Sequence, residues 1–203
     1  ANLIGWFVAS HYRSVYLHLF NQFPLLQVYG EAGSGKSQTV WMLAHLHWYL
    51  KEISIKSAAS CTPFAVDSHA SSSTSAPFIL DEFKPRDMGK IKTDKFLRML
   101  RRAYGGEMEE RGRADQGVNT YYLQAPCCSM GESPIEGDPA LTERTLTVNP
   151  DKNYLDTHPT AVARFNDLRS MPLARLAGPF LQWALGRDIM AGDVDRARAV
   201  TND

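Results

Sequence analysis

The chain has 203 residues, 44% of them hydrophobic and 22% charged, and its 22 basic residues are balanced by 22 acidic ones. That is the composition of a globular chain long enough for one well-buried domain and a small appendage, and it excludes recognition of nucleic acid through net charge alone. Three cysteines without a CxxC pair and six dispersed histidines (11, 18, 45, 47, 69 and 158) give neither a disulfide framework nor metal-ligand spacing, which fits a reducing, cytoplasmic setting.

In the first 21 residues Leu3, Ile4, Phe7, Val8, His11, Tyr12, Val15 and Leu19 recur at helical spacing and predict one amphipathic packing helix. His11 and Arg13 interrupt it, so it is neither a signal peptide nor a membrane span. The pattern is already under way at Ala1, as in a domain of a longer protein. Pro24–Tyr29 is an apolar run that ends at a glycine and reads as a buried parallel strand. A glycine-rich turn follows, then a helix over Ser37–Leu50. Glu52–Ala58 reads as a second strand, Thr62–Pro63 as the cap and first residue of a short helix, and Pro77–Leu80 as a third strand running into Asp81.

Further on, Asp94–Tyr104 is helical, with Phe96, Leu97, Leu100 and Tyr104 inward and Arg98, Arg101 and Arg102 outward; Gly105–Gly106 stops it. Glu107–Arg113 and Val118–Tyr122 form a hairpin about Asp115–Gly117. Tyr122–Met130 and Thr145–Val148 are the fourth and fifth strands, and Ala161–Leu168 and Pro172–Leu185 are helices. Strands alternating with helices predict a parallel α/β sheet over residues 1–150, with a small helical lid over 151–203.

The chemistry begins at Gly30-Glu-Ala-Gly-Ser-Gly-Lys-Ser37, which fits G-x-x-x-x-G-K-[ST] between a strand and a helix. Its glycines let Gly30, Glu31, Ala32, Gly33, Ser34 and Gly35 wrap phosphate oxygens with backbone N–H groups at the positive end of a helix, which continues through Gln38. Lys36 is placed for the β- and γ-phosphates of ATP, and Ser37 for Mg²⁺. Asp81, at the C-terminal end of a buried strand, is a second metal-site residue beside the loop. Glu82 is placed to polarise a water. Small-metabolite kinases need no water activator, so the Asp-Glu pair favours hydrolysis over phosphoryl transfer.

The order of P-loop, Asp-Glu strand, a further strand ending in a polar residue and then an arginine resembles the AAA+ and superfamily-3 helicase branch of P-loop NTPases. More narrowly, FPLLQVYGEAGSGKS (23–37), PFILDEFKP (77–85) and residues 111–148 resemble the ATPase modules of phage and mobile-element primase-helicases. The resemblance covers roughly residues 1–150. It implies a five-stranded parallel sheet in the order 5-1-4-3-2 flanked by helices, plus a small C-terminal helical subdomain. It also implies ATP-driven movement on or unwinding of DNA, a homo-oligomeric ring, flanking primase or replication domains, and the cytoplasm of a bacterium or phage-infected host.

By the same resemblance the Tyr122–Met130 strand lies between the P-loop and Asp-Glu strands, and its end presents a γ-phosphate sensor. Superfamily-3 helicases place an asparagine there; this chain offers Ser129, Glu132 and Ser133, of which Ser129 is the candidate. Arg144 matches an arginine that reaches a neighbouring subunit's γ-phosphate; the alternative is a surface arginine paired with Glu143 or Asp138. Arg111 and Arg113, at the hairpin tip near Tyr121 and Tyr122, are candidates for single-stranded DNA, whereas Glu107, Glu109 and Glu110 stand ready to neutralise Arg98, Arg101 and Arg102. Arg164, Arg169 and Arg175 compete for a second sensor role. Two rival functions remain: a P-loop ATPase remodelling a protein partner, and a small-molecule kinase.

Overall fold

The computed structural model describes residues 2–48, 55–112 and 116–187, the side chains of residues 86, 111 and 154–156 apart. β1 (Leu25–Tyr29) is the apolar run that leads into the glycine-rich turn. It pairs in parallel with β6 (Cys127–Gly131) on one side and β7 (Thr145–Val148) on the other. β3 (Phe78–Asp81) pairs with β6, and β2 (Lys56–Ser57) pairs with β3, again in parallel. Among the described residues the sheet order is β2-β3-β6-β1-β7, as expected from the resemblance. Residues 52–54 of the second predicted strand, and the Tyr49–Leu50 end of the helix after the P-loop, lie outside the described residues.

Both faces of this sheet are covered, because neighbouring strand residues alternate in direction. Leu25, Leu80 and Cys127 join Val66 of α4 (Pro63–Ala70) and Phe96, Met99 and Leu100 of α6 (Lys90–Gly105). Leu26, Ile79, Cys128 and Met130 pack with Trp6 and Phe7 of α1 (Asn2–Ser10) and Val40 and Ala44 of α3 (Lys36–Ala44). Burying a side chain of the size of leucine or phenylalanine contributes roughly 1.5–3 kcal/mol. These two apolar layers therefore fix the sheet between its helices. The Thr62 hydroxyl caps α4 by accepting from the Ala65 amide at 3.2 Å, with Pro63 at the first helical position.

Several boundaries differ from the sequence reading; α6, for one, begins at Lys90 rather than Asp94. The N-terminal helix is two, α1 and α2 (Arg13–Phe20), with a break at His11–Tyr12. Its buried side is Trp6, Phe7, Ser10 and Arg13, whereas Ile4 and Leu19 of the predicted stripe are exposed. The break lets Arg13 reach the carbonyls of Ala103 and Leu123 inside the protein. The fourth strand begins at Cys127 rather than Tyr122, because Tyr122 closes the antiparallel hairpin of β4 (Met108–Gly112) and β5 (Val118–Tyr122) opposite Met108. The last helix starts at Ala177, as α10 (Ala177–Leu185), after a 3-10 turn over Leu173–Leu176. Pro179 accounts for this: in a continuous helix its ring would meet the Arg175 carbonyl.

The remaining helices are α5 (Pro85–Met88), α7 (Pro139–Thr142), α8 (Lys152–Thr157) and α9 (Pro159–Ser170). None of the described helices is long and apolar enough to cross a membrane. α10 docks on the N-terminal pair: the Tyr12 hydroxyl donates to the Ala184 carbonyl at 3.3 Å, and His11 meets the Phe180 ring edge-on at 4.8 Å. His11 also stacks on His47 at 3.8 Å, and the His47 Nε2 lies 3.0 Å from the Ser10 hydroxyl.

Burial lowers the His47 pKa from 6.5 to about 3, with His11 adding to the effect, and burial also lowers that of His11. The unfolded chain therefore takes up protons below pH 6.5 that the folded chain refuses, so folding stability falls as pH drops from about 6.5 towards 3. The melting temperature of His47→Phe should fall less steeply than that of the parent between pH 7 and 4, whichever of the two is more stable at pH 7. Parallel slopes would show that His47 does not titrate in this way.

Candidate functional site

The turn after β1 owes its shape to its glycines. Gly30, Gly33 and Gly35 all have positive φ, at 148°, 80° and 79°. Gly30 has a second constraint: a side-chain carbon there would come within 2.7 Å of the Asn149 Oδ1 beyond β7. α3 starts at Lys36, directly beyond the turn, so the first amides of that helix open onto it. The Lys36 ammonium donates to the carbonyls of Gly30 and Glu31, each at 2.7 Å, and to the Ser34 hydroxyl at 3.3 Å. Burial lowers its pKa, partly offset by the carboxylates of Glu132 and Asp81.

Parallel pairing brings the acidic strand to the same edge. The Ser37 hydroxyl donates to Asp81 Oδ2 at 3.0 Å, across 44 residues of sequence. Glu82 has a left-handed backbone, φ 54°, a conformation that costs a non-glycine residue on the order of 1–3 kcal/mol. Its neighbours hold it there. The Glu82 amide donates to Asp81 Oδ1 at 2.7 Å, and the Ser57 hydroxyl at the end of β2 donates to Glu82 Oε2 at 2.7 Å. The next amide, of Phe83, donates to the Met130 carbonyl at 2.8 Å.

β6 completes the edge. The Gly30 amide donates to the Gly131 carbonyl at 3.3 Å. Gln27, buried in β1, pins the loop beyond β6 by donating to the Ser133 carbonyl at 3.3 Å and accepting from the Ile135 amide at 3.0 Å. Glu132 pairs with Lys84 at 2.7 Å. A cavity of about 350 Å³ opens here, lined by Gly30, Glu31, Glu132, Ser133, Asn149 and Lys152 among others.

The residues singled out in the sequence thus divide. Gly30 to Gln38, Asp81 and Glu82 converge. Ser129 does not line the cavity; it is 2% exposed within β6, opposite Gln27 and Leu80. Arg144 lies at the opposite end of the sheet from the P-loop, just before β7, where its backbone carbonyl accepts from Leu25, the first residue of β1. Among the described residues it makes no ion pair; its guanidinium lies 5.2 Å from the centre of the Tyr104 ring. Of the three candidate sensor arginines, Arg169 is the one brought to the P-loop helix, 3.4 Å from Gln38 Oε1.

The arginines of α6 are neutralised. Arg98 pairs with Glu109 at 3.5 Å, Arg101 with Asp138 at 3.0 Å, and Arg102 with Glu107 and Glu109. Arg113 and the Arg111 side chain lie outside the described residues; the Arg111 backbone is in β4, opposite Asn119. Tyr121 meets Phe64 of α4 edge-on at 5.9 Å. Sequence reasoning missed Gln27, Ser57, Lys84, Gly131 and Asn149. Only Gln27 carried a local signal, as a lone amide in an apolar strand.

No family model matches the sequence, and no curated protein matches it. Among solved structures the chain is similar to the active helicase Cch of SCCmec type IV, with 15% identity, a TM-score of 0.52, and coverage of 98% of this chain and 46% of that one. It has a helicase-like fold. Two structures of the JCV helicase, one with a bound acetamide compound and one with a bound inhibitor, also align, at 16% and 11% identity and a TM-score of 0.41 each, covering 96% and 93% of this chain and 58% and 62% of theirs. The chain thus spans about half the length of the solved structures it matches.

The hydroxyl of Ser37 and the carboxylate of Asp81 are hard oxygen donors of the kind magnesium prefers, and a positive-φ turn with an inward lysine suits phosphate. The donor set therefore fits magnesium and a nucleotide phosphate chain. The edge also depends on Gly131, where an added methyl would lie 2.5 Å from the Phe83 carbonyl oxygen. Gly131→Ala should lower stability by about 1–3 kcal/mol, because backbone must move, and should displace Glu82 with it. Gly112→Ala, where a methyl meets nothing within 4 Å, is the control and should melt with the parent. Equal melting of both variants would refute the close approach.

Proposed function

We propose that this chain hydrolyses ATP to drive movement on DNA, as the helicase module of a phage or mobile-element replication protein. The observation that carries the reading is the Ser37–Asp81 hydrogen bond of 3.0 Å, which joins a P-loop serine to the acidic end of β3. The turn's amides and Lys36 would hold the phosphates, Ser37 and Asp81 the magnesium ion, and Arg169, beside Gln38, the far side of the nucleotide. Magnesium ATP, when bound, supplies the phosphoanhydride bond whose hydrolysis drives the work. Glu82 accepts the proton of the attacking water, and Ser57, by holding Oε2, fixes the carboxylate's direction. Ser129, buried in β6, supports the strand from within rather than touching phosphate in this reading.

Arg144, just before β7 at the end of the sheet away from the P-loop, is too far to serve the P-loop of its own chain, which supports its action on a neighbouring copy in a ring. The hairpin that carries Arg111, Tyr121 and Tyr122 is the proposed contact with single-stranded DNA, since the arginines of α6 are already paired. Residues 151–203, of which 188–203 lie outside the described residues, would then form the lid.

Lys36→Ala should abolish turnover and weaken ATP binding, whereas Glu82→Gln should bind ATP normally and lose turnover. Single-stranded DNA should raise the parent's ATPase rate. Turnover indifferent to DNA would favour action on a protein partner, phosphate transfer to a metabolite would favour a kinase, and normal turnover by Lys36→Ala would remove the site.

Arg144→Ala should keep ATP binding and lose about a thousandfold in turnover. Mixing it with Lys36→Ala should restore part of the activity, because some interfaces then join an intact P-loop to an intact Arg144. No recovery in mixtures shown by mass to co-assemble would exclude action between copies.

A further inference from the structure

Beside the P-loop, one charged pair has no part in the reading above. Lys84 follows the Asp81-Glu82 edge of β3, and Glu132 follows β6; their side chains meet at 2.7 Å across the mouth between the two strands. Glu132 also lines the cavity with Gly30 and Glu31, whose carbonyls hold the Lys36 ammonium. The side chains of Lys84 and Glu132 are 39% and 55% exposed. Water screens such a pair, so a more highly charged anion can exchange for the carboxylate at little cost.

We propose that Lys84 is a further phosphate-binding residue of this site, held in reserve by Glu132, and that the Lys84–Glu132 pair opens when a nucleoside triphosphate binds. This rests on the reading of the P-loop as a triphosphate site. A triphosphate carries more negative charge than one lysine and one divalent cation neutralise, so a second nearby cation gains by joining it. Glu132, a carboxylate on the same cavity wall, is repelled by the same charge. Both effects pull the pair apart, and both grow with the terminal phosphate. The mutual influence of Lys36, Lys84 and Glu132 agrees with this closeness: Glu132 raises the Lys36 pKa and Lys84 lowers it.

The position of Lys84 also gives its movement a route outward. Its backbone carbonyl accepts from the amides of Asp87 and Met88 of α5. α5 packs on α6, and α6 runs directly into the β4–β5 hairpin. The lysine that would change partner with the nucleotide is thus joined, through α5 and α6, to the element proposed to touch DNA.

The test measures binding of a non-hydrolysable ATP analogue and of ADP, each with magnesium, to the purified chain. Lys84→Met should weaken the triphosphate by about tenfold and leave ADP nearly unchanged, as expected for loss of one charge-assisted contact. Lys84→Arg should behave as the parent. Glu132→Gln should tighten the triphosphate, because Lys84 is no longer held, and this gain should vanish in the Lys84→Met background. The proposal is overturned if Lys84→Met keeps the parent's ratio of triphosphate to ADP affinity. It is equally overturned if Glu132→Gln gives the same gain without Lys84, since Glu132 would then act on phosphate directly. Lys36→Ala separates the two levels: full binding of both nucleotides by that variant would remove the triphosphate site itself. Both side chains are exposed, and melting curves matching the parent's would show that the variants fold.

Discussion

The parallel pairing of β1 with β6 and β7, and of β6 with β3, decides where every group of the site comes to rest. In a parallel sheet all strands end on one edge, so the turns after β1, β3 and β6 meet there although they are far apart in sequence. Register then acts at the level of single residues. Leu26 lies opposite Cys128 and Val28 opposite Met130, which leaves Tyr29 beside Gly131 at the rim. At the rim itself a glycine is required: the Phe83 carbonyl passes so close to Gly131 that no side chain fits. That close approach is what lets the Asp81-Glu82 turn lean over β6 towards the P-loop.

The polar groups beneath the rim give the site its rigidity. Gln27 occupies a buried position of β1 and spends both ends of its amide on the loop beyond β6. A buried amide that lost those partners would be strongly unfavourable, so the loop carrying Glu132 and Ser133 is tied to the strand that carries the P-loop. Ser57 does the same for Glu82 from the other side, through β2. The carboxylate read as the water activator is thus held by a serine at the end of β2.

A second fixed point lies at the far end of the molecule. Arg13 is fully buried and has no carboxylate partner among the described residues; burial lowers its pKa to about 10, with Cys127 opposing. Its guanidinium donates to the carbonyl of Ala103, at the C-terminal end of α6 where the helix dipole is negative, and to that of Leu123 at the hairpin's base. Its Nε and Nη1 have no hydrogen-bond partner among the described residues. α2, α6 and the hairpin are therefore held by one cation whose removal would take a donor from both carbonyls, leaving that of Ala103 with the Gly106 amide. Arg144 sits at this end as well, its guanidinium over the Tyr104 ring of α6, so the arginine read as serving a neighbour touches the helix that leads into the hairpin read as touching DNA.

Much of this was written locally. The P-loop is a contiguous stretch whose glycines and lysine act within eight positions, and the hairpin, the Thr62–Pro63 cap and the strand at 145–148 depend on neighbours in sequence. Apolar runs fixed which segments became strands, and the order of motifs indicated how those strands would be arranged. Local pattern could not decide what meets across the sheet. The Ser57–Glu82 and Lys84–Glu132 contacts join residues 25 and 48 positions apart, and each is an ordinary polar pair until two strand ends are brought together. The break at His11–Tyr12 has no glycine or proline to announce it, because it answers to carbonyls on Ala103 and Leu123. Ser129 looks like a strand-end hydroxyl in sequence and is buried because β6 continues to Gly131. Sequence spacing specifies chemistry that lies within one turn or one strand; the tertiary fold alone decides which turns share an edge.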